Sequence, residues 1–70
     1  MSNITKKFGK RVRDLRLERG LSQEQFSYKA DLHRTYIGMI ERAEKNISIV
    51  NIEKIAKALD INLKTLFDGL

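Results

Sequence analysis

The sequence predicts an all-α fold of five short helices. Three observations carry that prediction. Apolar residues recur at spacings of three and four along most of the chain, the period of an amphipathic helix. The runs are bounded by residues suited to helix ends: Ser22, His33, Ser48 and Asn62 at starts, Gly20, Asp31 and Asp60 at stops. Strand-like alternation appears only at Ile47-Ser48-Ile49, which is too short to pair alone, and there is no proline.

In chain order, Ile4, Phe8, Val12 and Leu15 form an apolar stripe on the first helix, and Gly20, directly after Arg19, is its stop. Leu17 lies opposite that stripe, either exposed or covered by another element. Ser22 and Gln25 have capping-box spacing and open a second helix from about Gln23 to Ala30, which buries Phe26 and Ala30. The break at Ala30-Asp31-Leu32-His33 needs a residue that tolerates positive φ, and Asp31 is among the few non-glycine types that do. A third helix follows from about Arg34 to Arg42, with His33 as its N-cap. Ile37, Ile40 and Glu41 share one of its faces, and Thr35, Met39 and Arg42 point the other way.

Residues 43–47 form a polar connector. Ser48 caps a fourth helix whose buried stripe is expected to be Ile49, Ile52, Ile55, Ala56 and Leu59, with Val50 on the outer face. Asp60 ends it, and Asn62 caps a last turn or two holding Leu63, Leu66 and Phe67.

Composition narrows the function classes. Seventy residues suggest one domain, residues 1–70. A core of that size supplies only ~3–5 kcal/mol, so such chains lean on a disulfide, a metal or a partner subunit. With no cysteine and one histidine, the first two are excluded and oligomerisation is left. No thiol nucleophile exists, and no spacing suggests a histidine–carboxylate–serine set, so neither an enzyme nor a cofactor is expected. His33 is better placed as a cap or phosphate neighbour than as a ligand or catalyst. No apolar run approaches ~18 residues and no apolar stretch follows Lys6 and Lys7, which points to a cytoplasmic protein rather than a membrane one.

The formal charge of +5 and pI near 9.8 favour an anionic partner, nucleic acid first. Residues 1–20 hold seven Lys/Arg against two acids. Residues 21–46 hold four against four, and 47–70 three against three. The excess therefore sits in the first helix. Long-range attraction is expected from there, whether or not its cations also touch phosphates. A helix, a short turn and a second helix with a polar face make a helix-turn-helix layout over residues 23–42, QEQFSYKADLHRTYIGMIER.

Gln23, Phe26, Ala30, Leu32, Ile37, Ile40 and Glu41 resemble the helix-turn-helix of the phage repressor and Cro family. The likeness extends to FGKRVRDLRLERGLSQ before it and NIEKIAKALDINLKTLF after it, nearly the whole chain. The stretch LHRTYIGMIERAEKNISIVNI is similar to the controller proteins of restriction–modification systems, small dimeric transcription regulators. The resemblance implies a compact five-helix repressor-type DNA-binding domain with the helix-turn-helix at helices two and three. It also implies a sequence-specific homodimer on a pseudo-palindromic operator of double-stranded DNA, without a small-molecule effector.

Three positions depart from the family pattern. Ser27 stands where alanine is usual, so its hydroxyl needs a bond, for instance to an i−4 carbonyl. Asp31 replaces a glycine. Gly38 stands where serine is frequent and costs ~1 kcal/mol against alanine in a helix interior. It marks either close approach by DNA or a neighbouring helix, or a tolerated solvent position.

By this resemblance the third helix enters the major groove. Arg34 can reach guanine O6 and N7 bidentately, Thr35 can donate, accept or cover a thymine methyl, and Met39 can pack on such a methyl. Gln23, Tyr36, Arg42, Lys45, Asn46 and Ser48 are the expected backbone contacts. Relatives pair the positions of Arg16 and Glu41 in a partly buried structural salt bridge. Val50, Asn51, Leu63, Leu66 and Phe67 are dimer candidates, the last three being alternatively core. A competing class is an antitoxin-like interaction subunit that uses the C-terminal apolar surface and binds DNA secondarily.

Overall fold

A computed structural model describes residues 3–70 and contains five helices: α1 Asn3–Glu18, α2 Gln23–Ala30, α3 Arg34–Glu41, α4 Ile49–Ala58 and α5 Leu63–Leu66. Local chemistry sets the starts. Ser22 Oγ accepts from the Gln25 N–H at 3.0 Å while Gln25 Oε1 accepts from the Ser22 N–H at 2.8 Å, completing the capping box. Ser48 Oγ accepts from the Asn51 N–H at 3.2 Å, and Asn62 Oδ1 from the Thr65 N–H at 2.8 Å. Each cap satisfies a backbone donor that the helix cannot.

The stops share one geometry. Gly20, Asp31, Ala43 and Asp60 all take positive φ, from 55° to 67°. After each, a backbone N–H reaches back to a carbonyl five residues earlier: Leu21 to Arg16, Leu32 to Ser27, Glu44 to Met39, Ile61 to Ala56. These are Schellman closures. Ala43 is the one the sequence hides, because alanine gains nothing in the left-handed region.

Phe8, Val12, Leu15, Phe26, Ile37, Ile40, Ile55, Ala56, Leu59 and Leu66 make the buried core. α3 packs on α1 and α2, α2 also packs on α4, and α5 closes over α4. Gly9 lets α1 and α3 approach: a Cβ there would stand 2.5 Å from the Ile40 carbonyl oxygen and 3.0 Å from that of Glu41. Two corrections to the expected stripes follow. Ile49 is 69% exposed and Ile4 52% exposed, so both lie outside the core. Ile49 sits at the edge of the α4 stripe, ~80° from its centre at 100° per residue. Ile4 keeps the α1 phase but lies in the first turn, beyond the buried part of the stripe. Leu17 is exposed, which settles the alternative left open for it.

Arg11 and Arg16 of α1, and Arg19 just after it, serve carbonyls near helix ends. Arg11 donates to the Thr65 and Leu66 carbonyls of α5 at 2.8 and 3.2 Å. Arg19 donates to the Leu59 carbonyl at the end of α4 at 2.8 Å. Cations suit helix C-termini, where unpaired carbonyls carry partial negative charge. Arg16 donates to the Leu21 carbonyl at 2.8 Å just past its own helix. Among the described residues no helix is long and apolar enough to cross a membrane.

Candidate nucleic-acid interface

Phe26 and Ala30 of α2 and Ile37 and Ile40 of α3 are buried, which fixes how the two helices cross. Ser27 fits at their contact because its hydroxyl donates to the Glu24 carbonyl at 2.6 Å. That carbonyl is three residues back, where four were expected.

His33 caps α3: its Nδ1 accepts from the Thr35 N–H at 3.0 Å. In the neutral ring this bond places the proton on Nε2, which leaves an outward donor beside Arg34. Arg34 and Thr35 are exposed on the first turn of α3, and Met39 is half-buried one turn on. Arg34 Nη1 lies 3.9 Å from Glu24 Oε2 with both side chains exposed, a screened pair that leaves the guanidinium available. Tyr36 is half-buried, and its hydroxyl accepts from Asn51 Nδ2 at 3.1 Å. The hydroxyl proton remains free to donate, and the bond tells it where to sit. Asn51 is thus tied to the α3 side of the molecule, which a place on a separate dimer face does not require.

Behind the exposed face lies a buried ion pair. Arg16 Nε and Nη2 donate to Glu41 Oε2 and Oε1 at 2.7 and 2.9 Å, with side chains only 8% and 2% exposed. The same Oε1 accepts from Gln23 Nε2 at 3.1 Å. Gln23 therefore commits one of its two amide N–H donors to Glu41, and the backbone N–H groups at the start of α2 add further donors for a phosphate at that position. No buried side-chain nitrogen or oxygen among the described residues lacks a partner.

Arg42 closes α3, and its Nη2 lies 3.1 Å from Glu44 Oε1. The hydrogen bond to Glu44, then that residue's charge, raise the Arg42 pKa further above its ordinary value. The guanidinium lies in the space a Gly38 side chain would fill: a Cβ there would stand 2.9 Å from Arg42 Nη1 and 3.5 Å from Gln23 Oε1. Gly38 is buried, which rules out a tolerated solvent position, and Gln23 of the neighbouring α2 approaches it together with Arg42. Lys45, Asn46 and Ser48 are exposed in the connector, and the Ser48 hydroxyl can donate outward while it accepts as a cap.

The charge in α1 and just after it is divided. Arg11, Arg16 and Arg19 are committed to carbonyls or Glu41, so Lys6, Lys7, Lys10 and Arg13 remain for other contacts. Lys10 already pairs with Asp14 at 2.8 Å on the surface. The dimer candidates also divide. Leu66 is fully buried and belongs to the core, because it seats α5 on the other helices. Val50, Leu63 and Phe67 are exposed, and Phe67 stacks on Phe8 with ring centroids 5.5 Å apart. Ile49, expected inside, adds to this apolar surface. Phe67 also lines a groove with Ile4, Phe8, Ile47 and Ile52. No group of three His, Cys, Asp or Glu side chains able to hold a metal occurs among the described residues.

A helix-turn-helix family profile matches residues 12–66. The chain belongs to the helix-turn-helix family. It is a DNA-binding transcription regulator, and restriction–modification controller proteins are among the proteins it is similar to. It is 50% identical over 68 residues to control protein C.BamHI of Bacillus amyloliquefaciens, covering 96% of this chain and 84% of that one. The crystal structure of the restriction–modification controller C.AhdI from Aeromonas hydrophila matches with TM-score 0.91 at 47% identity, over 94% of this chain and all of that one. A structure of SinR, the Bacillus subtilis regulator, in complex with DNA matches with TM-score 0.80 at 35% identity, over 87% of this chain and 98% of that one. Regulators of this family are not enzymes.

Proposed function

We propose that this protein is the controller of a restriction–modification system, acting as a homodimer on a pseudo-palindromic operator. One observation carries the DNA-reading part. Arg34 and Thr35 project, exposed, from a first turn that His33 caps, and the Arg16–Glu41–Gln23 network ties α1 and α2 to the far end of the same helix. A guanidinium and a hydroxyl on a rigid helix face suit the major-groove edges of guanine and thymine. Met39 extends that face. Tyr36, Arg42, Lys45, Asn46 and Ser48 surround it as phosphate partners that position the helix.

Support for the dimer comes from size and surface. A chain this short gains stability from a partner subunit. Ile49 and Val50 on α4, and Leu63 and Phe67 on α5, leave apolar area open for one. Support for the controller role comes from C.BamHI and C.AhdI, whose lengths this chain nearly spans. Control through protein concentration and the dimer equilibrium is consistent with such a regulator.

Selection of binding sites from random duplexes at stated salt tests this. Two inverted half-sites are expected, with centres ~34 Å apart. A single unrepeated half-site would argue for a monomer. No enrichment at all, together with a partner protein held by the α4–α5 surface, would favour an interaction subunit.

A further inference from the structure

Two glycines are buried inside helices, and their vacant Cβ positions are filled differently. Gly9 faces backbone carbonyls of α3. Gly38 faces the far end of the Arg42 side chain, and behind it the Gln23 amide oxygen. Helical side chains lean toward the helix N-terminus, so an arginine four residues on lies over position 38. With any side chain at 38, that guanidinium would be displaced, since 2.9 Å is too short for a carbon–nitrogen contact.

We propose that Gly38 is a seat for the Arg42 guanidinium, holding it beside the start of α2 as a phosphate-binding group, with Glu44 as its intramolecular competitor. The proposal rests on the reading that α3 enters the major groove, which lays the start of α2 along the DNA backbone. Gln23 alone serves a phosphate poorly there. One of its Nε2 hydrogens is turned to Glu41, and the atom nearest the seat is an oxygen, an acceptor that repels an anion. The guanidinium supplies the missing donors in a planar fork that matches a phosphate.

Glu44 holds that fork in the free protein. A carboxylate offers the same paired oxygens as a phosphate, and its Oε1 lies 3.1 Å from Arg42 Nη2. Both side chains are about half exposed, at 56% and 52%, so the pair is screened and separates easily. Binding is an exchange of partners in which a duplex phosphate replaces Glu44. The glycine, unfavourable in a helix interior, is thereby explained by function rather than by packing.

Fluorescence anisotropy tests the exchange, using a labelled duplex that carries the selected site and a scrambled duplex of equal length over a range of salt. Arg42→Ala should weaken both by roughly tenfold and lower the salt slope by about one. Gly38→Ala should keep or raise Tm, because only a flexible side-chain end must move, yet weaken both duplexes and lower the slope in the same sense. Combined with Arg42→Ala it should add nothing. Glu44→Gln should tighten binding only while Arg42 is present. Wild-type affinity and slope in Gly38→Ala would overturn the seat. An equal gain from Glu44→Gln with and without Arg42 would overturn the competition. A phosphate contact is independent of sequence, so the scrambled duplex tests it even if the wild-type protein shows no preference for the selected site, the result that would sink the operator reading alone.

Discussion

Glu41 accepts from Arg16 twice and from Gln23 once, so one buried carboxylate joins α1, the start of α2 and the end of α3. Removing one partner of a buried pair strands the other's charge. Arg16→Ala should cost ~3–5 kcal/mol of stability, read as the shift in a urea unfolding midpoint. A loss under ~1 kcal/mol, the scale of a surface pair, would show that the pair is solvated in solution. Gly9 makes a second prediction. A methyl at that position meets backbone rather than a movable side chain, so Gly9→Ala should destabilise by ~1–3 kcal/mol in the same measurement.

These two residues differ in how legible they were. The Arg16–Glu41 pair was expected only through resemblance, since spacing alone does not pair residues 25 positions apart. Gly9 gave no usable signal, because the carbonyls it makes room for lie more than thirty residues away. Arg34 and Thr35 were readable because exposure on one helix face follows from phase. The direction in which Gln23 turns its amide was not, since it depends on the buried Glu41.

At the scale of elements, ends are set mostly by local chemistry, which is why Ser22, His33, Ser48 and Asn62 could be read as caps from sequence. The stop at Ala43 could not, because nothing in alanine's chemistry asks for φ of 59°. That backbone costs an L-residue ~1–2 kcal/mol, whereas glycine's extra unfolded-state freedom costs ~0.4–1 kcal/mol. The first is larger, so Ala43→Gly should stabilise by up to ~1 kcal/mol in thermal unfolding. A destabilised variant would mean that packing of the buried Ala43 methyl outweighs its backbone strain. Ile4 and Ile49 show the limit of periodicity at this scale. Phase gives the face of a helix but not how far its neighbour reaches along it.

At the scale of the molecule, the proposed function gives assembly to the apolar surface left on α4 and α5 and reading to the polar face of α3. Leu66 was ambiguous between core and interface in the sequence, because a four-residue helix has too few turns to define a face. The three-dimensional packing assigns it to the core. The surface that remains makes a prediction. Val50→Glu should weaken self-association roughly tenfold or more, since a buried carboxylate without a partner is costly, with sedimentation velocity as the readout. Unchanged sedimentation at all concentrations would place the interface elsewhere.

The most direct test of DNA reading compares Arg34→Ala with Lys45→Ala on the selected duplex and a scrambled one at matched salt. Arg34→Ala should lose ~1–3 kcal/mol on the selected site alone and relax preference at one base pair. Lys45→Ala should weaken both duplexes alike and lower the salt slope by about one. Equal losses on selected and scrambled DNA for both variants would contradict the assignment of the α3 face as the part that reads sequence.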